Sequence, residues 1–376
     1  MKKILLLAPL LMLSCGEYKA MINEQISYKN DSIAYFSDKR MQLLPINIDG
    51  EKYNFIYDTG SQVTILNNPK FDLKEDDIIR DRKIYGFDKK TSARMQGYGI
   101  KSFSSGLYDI NGKYLYTAKL PKPFCGNPPA NDGVLERLSP ASDHVTELNY
   151  EKGFVRYVKR PSLDGYSAVN AKFHISTGIF WIELNMFGIS DYFLFDTGNT
   201  SNMVIIDKNK YNSIPEKRYQ LNTIITGINK IVKNCAIDVY VADVKMNDLE
   251  FKYPVCVNHD ANQSNINHGF IKNFNWIIDE SAKKAYYKPL SIKKLQEFKG
   301  ETNPAPARQV GIFNKKLLIS FMNYEDATFK VGDEIREFNN ELVTEKNICD
   351  IGTKLNLEKD WTNFNIQFAV SNKNEK

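Results

Sequence analysis

Residues 192–206 read YFLFDTGNTSNMVII and place an acid, Asp196, directly behind four large apolar or aromatic residues. A carboxylate in such surroundings must find hydrogen-bond donors and a partner charge, or hold a proton, because an isolated buried charge costs too much. Asp, Gly and Asn also build ordinary turns, and a lone Asp-Thr-Gly arises by chance in roughly one chain of this length in ten. One copy decides nothing, but residues 53–66, YNFIYDTGSQVTIL, repeat the arrangement with Asp58, Thr59 and Gly60. The two triplets lie 138 residues apart (196 − 58). Strand-like pairs precede them, LPINIDGEKYNFIYD and FWIELNMFGISDYFLFD. Hairpin-like segments ending in proline follow: HVTELNYEKGFVRYVKRP, with Pro161 103 residues after Asp58 (161 − 58), and NFNWIIDESAKKAYYKP, with Pro289 93 after Asp196 (289 − 196). A triplet, lead-in and closing hairpin that all occur twice define an internal repeat of two β halves.

The texture agrees. From residue 41 onward, short β-branched and aromatic runs are broken by turn pairs such as Asp49-Gly50 and Asn111-Gly112, and helical periodicity is hard to find before residue 290. With 376 residues the chain has room for two or three domains, and 42% apolar residues supply an ordinary globular core. The net charge of +5 includes Lys2 and Lys3, and Lys and Asp/Glu are interspersed throughout, so nothing marks a nucleic-acid surface. The four histidines (144, 174, 259, 268) and the cysteines 125, 235, 256 and 349 show no metal-ligand spacing, and buried free thiols are the expectation. Neither a G-x-S-x-G elbow nor a Gly-rich phosphate loop is present, and no cofactor or metal is expected.

Two acids of this kind permit a definite chemistry. If the halves bring Asp58 and Asp196 to about 3 Å, two full charges would repel by about 5 kcal/mol at an effective dielectric near 20. The pair then holds one proton and titrates as a unit. Its ionised member can deprotonate a water attacking an amide carbonyl, while its protonated member stabilises the oxyanion. Gly60 and Gly198 let backbone approach the carboxylates and offer N–H donors, Ser61 offers a hydroxyl, and Thr59 and Thr197 are placed to bond across the interface.

The doubled Asp-Thr-Gly in apolar context resembles the aspartic proteases, over residues 41–290, with the bilobed pepsin-like plan and lobes closer in length to retropepsin. NDGVLERLSP (131–140) resembles the family's Asp-Gly-Ile-Leu-Gly-Leu stretch, and GFIKNFNWIIDESAKKAYYKP its closing segment. The resemblance implies a mainly β fold with two similar β-barrel-like lobes, 41–163 and 164–290, and an endopeptidase acting on peptide or unfolded protein through Asp58 and Asp196. It also implies a flap over the cleft, for which SARMQGYGIKSFSSG, with Tyr98 as the flap aromatic, is the candidate. Three positions depart from the pattern. Glu136 and Asn267 stand where the family's hydrophobic-hydrophobic-Gly element carries glycine, and Asn199 stands where Ser or Thr follows the second triplet; the Asn199 amide or Thr200 is the substitute donor. These departures bear on activity and motivate an alternative, a catalytically inactive lipoprotein that binds peptides in the same cleft. A third alternative treats both triplets as plain turns of an unrelated β protein.

The ends of the chain carry two further resemblances. MKKILLLAPLLMLSCG has two lysines, an apolar stretch too short to span a bilayer, and a Leu-Ser-Cys-Gly ending. It resembles a bacterial lipoprotein signal (1–15), which implies acylation of Cys15 and a lipid-anchored protein of the cell envelope, with Gly16 pointing to the outer membrane; the alternative is a plain secretory peptide. Residues 16–40 are polar and are expected to be a tether, and 291–306 a linker. FKVGDEIREFNNELVT, within 307–376, resembles the Gly-Asp-x-Ile segment of PDZ domains, which implies a small α+β domain. It is either a module taking a C-terminal peptide by strand addition, with Gly311-Ile312-Phe313 as its loop, or a cap without peptide affinity.

Overall fold

The turn at Asp49-Gly50 joins strands Leu43–Ile48 and Glu51–Asp58 with both residues in the left-handed region (φ 50° and 91°), the geometry a tight two-residue hairpin requires. Phe187-Gly188 makes the same turn between strands Phe180–Met186 and Ile189–Asp196, at φ 54° and 78°. The repeat is therefore already present at the level of single turns. The structure, a computed structural model, describes residues 25–38, 42–67, 69–70, 78–85, 92–112, 114–118, 131–141, 143–159, 161–174, 177–199, 201, 203–211, 219–227, 230–258, 263–297, 308–313, 315–323, 329–358 and 360–369. The leader with Cys15, the first part of the tether, Thr200 and the end of the linker lie outside the described residues.

The chain is mainly β, with 55% of residues in strands and 8% helical, and contains a closed six-stranded barrel and a half-barrel sheet. The first part comprises β1 (Gln25–Tyr28), β2 (Ala34–Tyr35), β3 (Leu43–Ile48), β4 (Glu51–Asp58), β5 (Ile65–Asn67), β6 (Ile78–Tyr85), β7 (Ser92–Gly99), β8 (Ser102–Ser104), β9 (Tyr108–Asn111), β10 (Tyr114–Ala118) and β11 (Gly133–Glu136). The second comprises β12 (Val145–Asn149), β13 (Phe154–Val158), β14 (Ser167–Phe173), β15 (Phe180–Met186), β16 (Ile189–Asp196), β17 (Val204–Ile206), β18 (Tyr219–Gly227), β19 (Lys230–Met246), β20 (Leu249–Asn258), β21 (Asn265–Asn267), α1 (His268–Ile271), β22 (Phe274–Asp279) and β23 (Lys284–Pro289). Then follow α2 (Ile292–Gln296), β24 (Arg308–Phe313), β25 (Lys316–Asn323), β26 (Glu334–Phe338), β27 (Glu341–Leu342), α3 (Ile348–Leu357) and β28 (Ile366–Phe368).

The order β3-β4-β11-β5-β10-β7-β6 in the first sheet is matched strand for strand by β15-β16-β21-β17-β20-β19-β18 in the second. Pairing senses match too: β4 and β11 are parallel, as are β16 and β21, while β11 and β5 are antiparallel, as are β21 and β17. The halves differ in closure. The long β19 pairs with β20 and reaches back to β15, sealing a ring. In the first half the corresponding path breaks at Ile100-Lys101 into β7 and β8, and β8 alone reaches β3.

The two closing hairpins, β12–β13 and β22–β23, pair with each other through Thr146↔Ile278, Glu147↔Ile277 and Leu148↔Trp276. β2 and β14 extend this sheet at its edges. Residues 25–36 thus correct the expectation of a tether up to residue 40: β1 pairs with β9, β2 with β13, and Ala34 and Phe36 are buried. The backbone of this run pairs with open edges at β9 and β13, while Tyr28, Ala34 and Phe36 pack on the core. Trp276, fully buried, sits edge-on to Phe195 at 5.0 Å and donates its indole N–H to the Ile271 carbonyl at 2.9 Å, so the lead-in of the second triplet packs on the closing hairpin. Cys256 is buried and free, whereas Cys349 is disulfide-bonded, against the free-thiol expectation for it.

The C-terminal unit has its own core, in which Ile348, Ile351 and Leu355 of α3 pack with Val310, Leu317 and Ile319. Its β25 pairs with β18, so the unit continues the sheet of the second half. Beside it, the Asn356 carboxamide accepts from the Val310 N–H (2.8 Å) and donates to the Val310 carbonyl (3.0 Å), occupying β24 on the edge away from β25.

Arg137, directly after β11, ties the first half to the second. Fully buried, it donates to the Gly178 carbonyl (2.7 Å), Thr146 Oγ1 (3.2 Å) and Glu280 Oε1 (2.5 Å). Gly178 is needed there because a Cβ would overlap the Arg137 carbonyl. Arg137→Met leaves Glu280 without its partner; because the Glu280 side chain keeps 27% exposure, the expected loss is about 2–3 kcal/mol, at or below the usual range for breaking a buried pair. Urea unfolding at neutral pH checks it.

Candidate active site

Each triplet leaves the end of a strand buried on both flanks. Asp58 ends β4, and its parallel neighbour β11 ends in register with it at Glu136; Asp196 ends β16, in register with Asn267 of β21. The following threonines are buried and bond across the repeat. Thr59 N–H donates to Thr197 Oγ1 at 3.0 Å and Thr197 N–H to Thr59 Oγ1 at 3.2 Å. Each hydroxyl donates onward to the opposite strand, Thr59 to the Phe195 carbonyl and Thr197 to the Tyr57 carbonyl, both at 2.6 Å. Four reciprocal bonds through two hydroxyls, with all partners buried, leave the loops almost no relative freedom.

The glycines then meet the opposite acids. A Cβ on Gly60 would stand 2.7 Å from Asp196 Cγ, and one on Gly198 would fall within the Asp58 carboxylate. Only backbone without a side chain fits. Gly60 N–H donates to Asp58 Oδ1 (2.8 Å) and Asn199 N–H to Asp196 Oδ1 (3.0 Å). The structure brings Asp58 and Asp196 into hydrogen-bond contact. Burial pushes both up. Asp58 is restrained by N–H groups of Gly60, Ser61 and Gly198 and by its bond to Asp196. Asp196, raised by burial and then by the Asp58 charge, is held well above the usual carboxylate range. Two acids buried in contact cannot comfortably both ionise, so the pair holds one proton between them.

The supporting donors are backbone rather than side chain. The Ser61 hydroxyl donates to the Val63 carbonyl at 2.8 Å, not to the acid, and the Asn199 carboxamide oxygen accepts from Ser201 N–H at 3.0 Å. Short polar side chains favour such local loop bonds, and the nearby N–H groups already serve the carboxylates. Tyr98 also takes a different place from that expected of a flap aromatic. It is buried within β7, in register with Ile78 and Leu115, and its hydroxyl donates to Gln96; the turn of the β6–β7 hairpin is at 86–91, outside the described residues.

Behind the acids lies a contact that the sequence did not signal. Gln42, fully buried at φ 50°, accepts from Tyr57 N–H through its backbone carbonyl (3.1 Å) and meets His268 Nδ1 through its side-chain Nε2. His268 N–H in turn donates to the Asn199 carbonyl at 2.9 Å. The bridge joins the residue before Asp58 to the loop after Asp196. A lone histidine and a lone glutamine carry no motif; only the fold pairs them. Among the described residues no group of His, Cys, Asp or Glu is arranged to hold a metal ion. Comparison with models of protein families and with curated proteins finds no match for the chain.

Two pH effects follow with opposite signs. Asp196 keeps its proton in the folded state above the unfolded value of 3.8, so the folded state binds more protons there and stability falls as pH rises. Asp196→Asn is therefore expected to melt at a higher temperature than the parent at pH 7, with the difference vanishing toward pH 3 in calorimetry. His268 is pushed down to about 4 by burial, against 6.5 unfolded, so the unfolded state takes the extra proton between these values and stability is lost as pH falls through that window. His268→Gln should flatten the stability profile between pH 6.5 and 4, measured by urea unfolding.

Proposed function

We propose that the chain is an aspartic endopeptidase whose two β halves are the lobes of that fold and whose C-terminal unit is PDZ-like. The observation that carries this is the reciprocal Thr59/Thr197 bonding, which fixes two buried acids against each other between opposed glycine backbones. The matching strand orders of the two sheets support it. In this proposal a water held between the carboxyls loses a proton to Asp58 as its oxygen attacks the peptide carbonyl, while Asp196 gives its proton to the carbonyl oxygen. The tetrahedral diol collapses as one hydroxyl proton returns to Asp196 and the proton on Asp58 passes to the leaving nitrogen, restoring the starting charges. The substrate is peptide or unfolded protein in extended form.

Attachment to the cell envelope through a lipid on Cys15 belongs to the same proposal; among the described residues no helix is long and apolar enough to cross a membrane. A peptide ligand of the PDZ-like unit is left out of it, since strand addition at β24 would have to displace Asn356.

Asp58→Asn and Asp196→Asn are each expected to reduce cleavage of a mixed peptide library by about 10²–10⁴-fold while melting cooperatively, since each removes one partner of the acid–base pair. Cleavage at the parental rate by both variants would refute the assignment.

A further inference from the structure

Glu136 and Asn267 occupy the positions where the resembled family carries glycine, yet the structure gives both a bonded role. Each lies in register with the acid of its own half, Glu136 with Asp58 and Asn267 with Asp196. Each side chain reaches the far end of the loop that follows its triplet. Glu136 Oε1 accepts from Thr64 Oγ1 at 3.0 Å, and Thr64 is the last residue before β5. Asn267 Nδ2 donates to the carbonyl of Met203, the last residue before β17. The chemistry is complementary. Thr64 presents a hydroxyl donor and meets an acceptor; Met203 presents only a carbonyl and meets a donor. Thr64 and Asn267 are fully buried, so neither bond competes freely with water.

We infer that Glu136 and Asn267 are positioning residues that clasp the two catalytic loops, replacing the close backbone packing a glycine would give with a side-chain bond in each half. This inference rests on the peptidase proposal and deepens it. The mechanical reason lies in the loops' other contacts. Residues 58–64 and 196–203 begin at the acids, are pinned directly after them by Thr59 and Thr197, and carry Gly60 and Gly198 against the opposite carboxylates. Without the clasp, the far end of each loop loses a buried side-chain anchor, and displacement there moves the glycine that sets the spacing of the acids. Reacting groups held a fraction of an ångström out of place lose rate rather than affinity.

The test is steady-state kinetics on a cleavable library peptide with four variants of the full chain. Glu136→Gly, which installs the family residue, should lower kcat by about 10- to 100-fold with KM within about two-fold, the size of effect expected from misplacing reacting groups. Glu136→Gln keeps both the bulk and an oxygen acceptor for Thr64 and should stay within about three-fold of the parent; the isosteric Asn267→Asp then separates bonding from bulk. Asn267→Asp keeps the oxygen that caps α1 through Phe270 N–H (3.3 Å) but turns an acceptor toward the Met203 carbonyl, so kcat should fall while the protein still melts cooperatively. Asp58→Asn is the control for the parent proposal.

A Glu136→Gly variant as active as the parent, or an unaffected Asn267→Asp, overturns the clasp while cleavage lost in Asp58→Asn leaves the peptidase assignment standing. A parent chain that cleaves nothing, indistinguishable from Asp58→Asn, overturns both. Should Glu136→Gly fail to fold, the contrast between Glu136→Gln and Asn267→Asp decides the matter.

Discussion

Two threonine hydroxyls hold the molecule's centre. Thr59 and Thr197 each accept an N–H from the other and donate to the strand behind it, so the two halves meet through reciprocal bonds on buried backbone. Such a network is satisfied only when both halves are folded and in one relative position; a partial version would leave several buried donors and acceptors without partners. Everything around the acids inherits its geometry from this constraint: the glycine backbones opposite each carboxylate, the N–H groups aimed at Asp58 and Asp196, and the burial that pushes both acids up.

Three further ties carry that constraint outward. The closing hairpins pair strand to strand, Arg137 spans from the end of β11 to Glu280, and Gln42 meets His268 behind the loops. They differ in character. The hairpin pairing is backbone hydrogen bonding covered by aromatic packing, insensitive to pH. Arg137 places a charge where only its three acceptors make burial tolerable. The His268 contact requires a neutral imidazole and makes the interface intolerant of acid. Asp196 acts with the opposite sign, so the two titrations partly offset each other as pH changes.

Much of the fold was legible in the sequence because its signals are local and doubled. Asp49-Gly50 dictates a hairpin, alternation along FWIELNM fixes which face of β15 is buried, and the two triplets with their lead-ins announce matching halves. The strands of residues 25–35 were not legible, since QISY and AY are too short to stand out and are strands only because sheet edges wait for them. The donors divide by group. Ser61 and Asn199 do supply N–H groups at the site, yet their side chains turn into their own loops, a choice made by turn geometry. Tyr98 packs within its strand, because a tyrosine's apolar ring gains more from burial there than the sequence around it reveals.

By itself, the sequence determined the repeat, the β texture and the identity of the two acids, because these follow from residue type and spacing within single segments. Tertiary structure alone decided what those acids are: Asp58 and Asp196 stand 138 positions apart, and their shared proton exists only once both are buried against each other. It decided equally the meaning of Glu136 and Asn267, which read as departures in sequence and as bonded side chains in space. The physical reason is the same in each case. Desolvation, charge coupling and hydrogen-bond satisfaction depend on distances between atoms that the chain brings together only by folding.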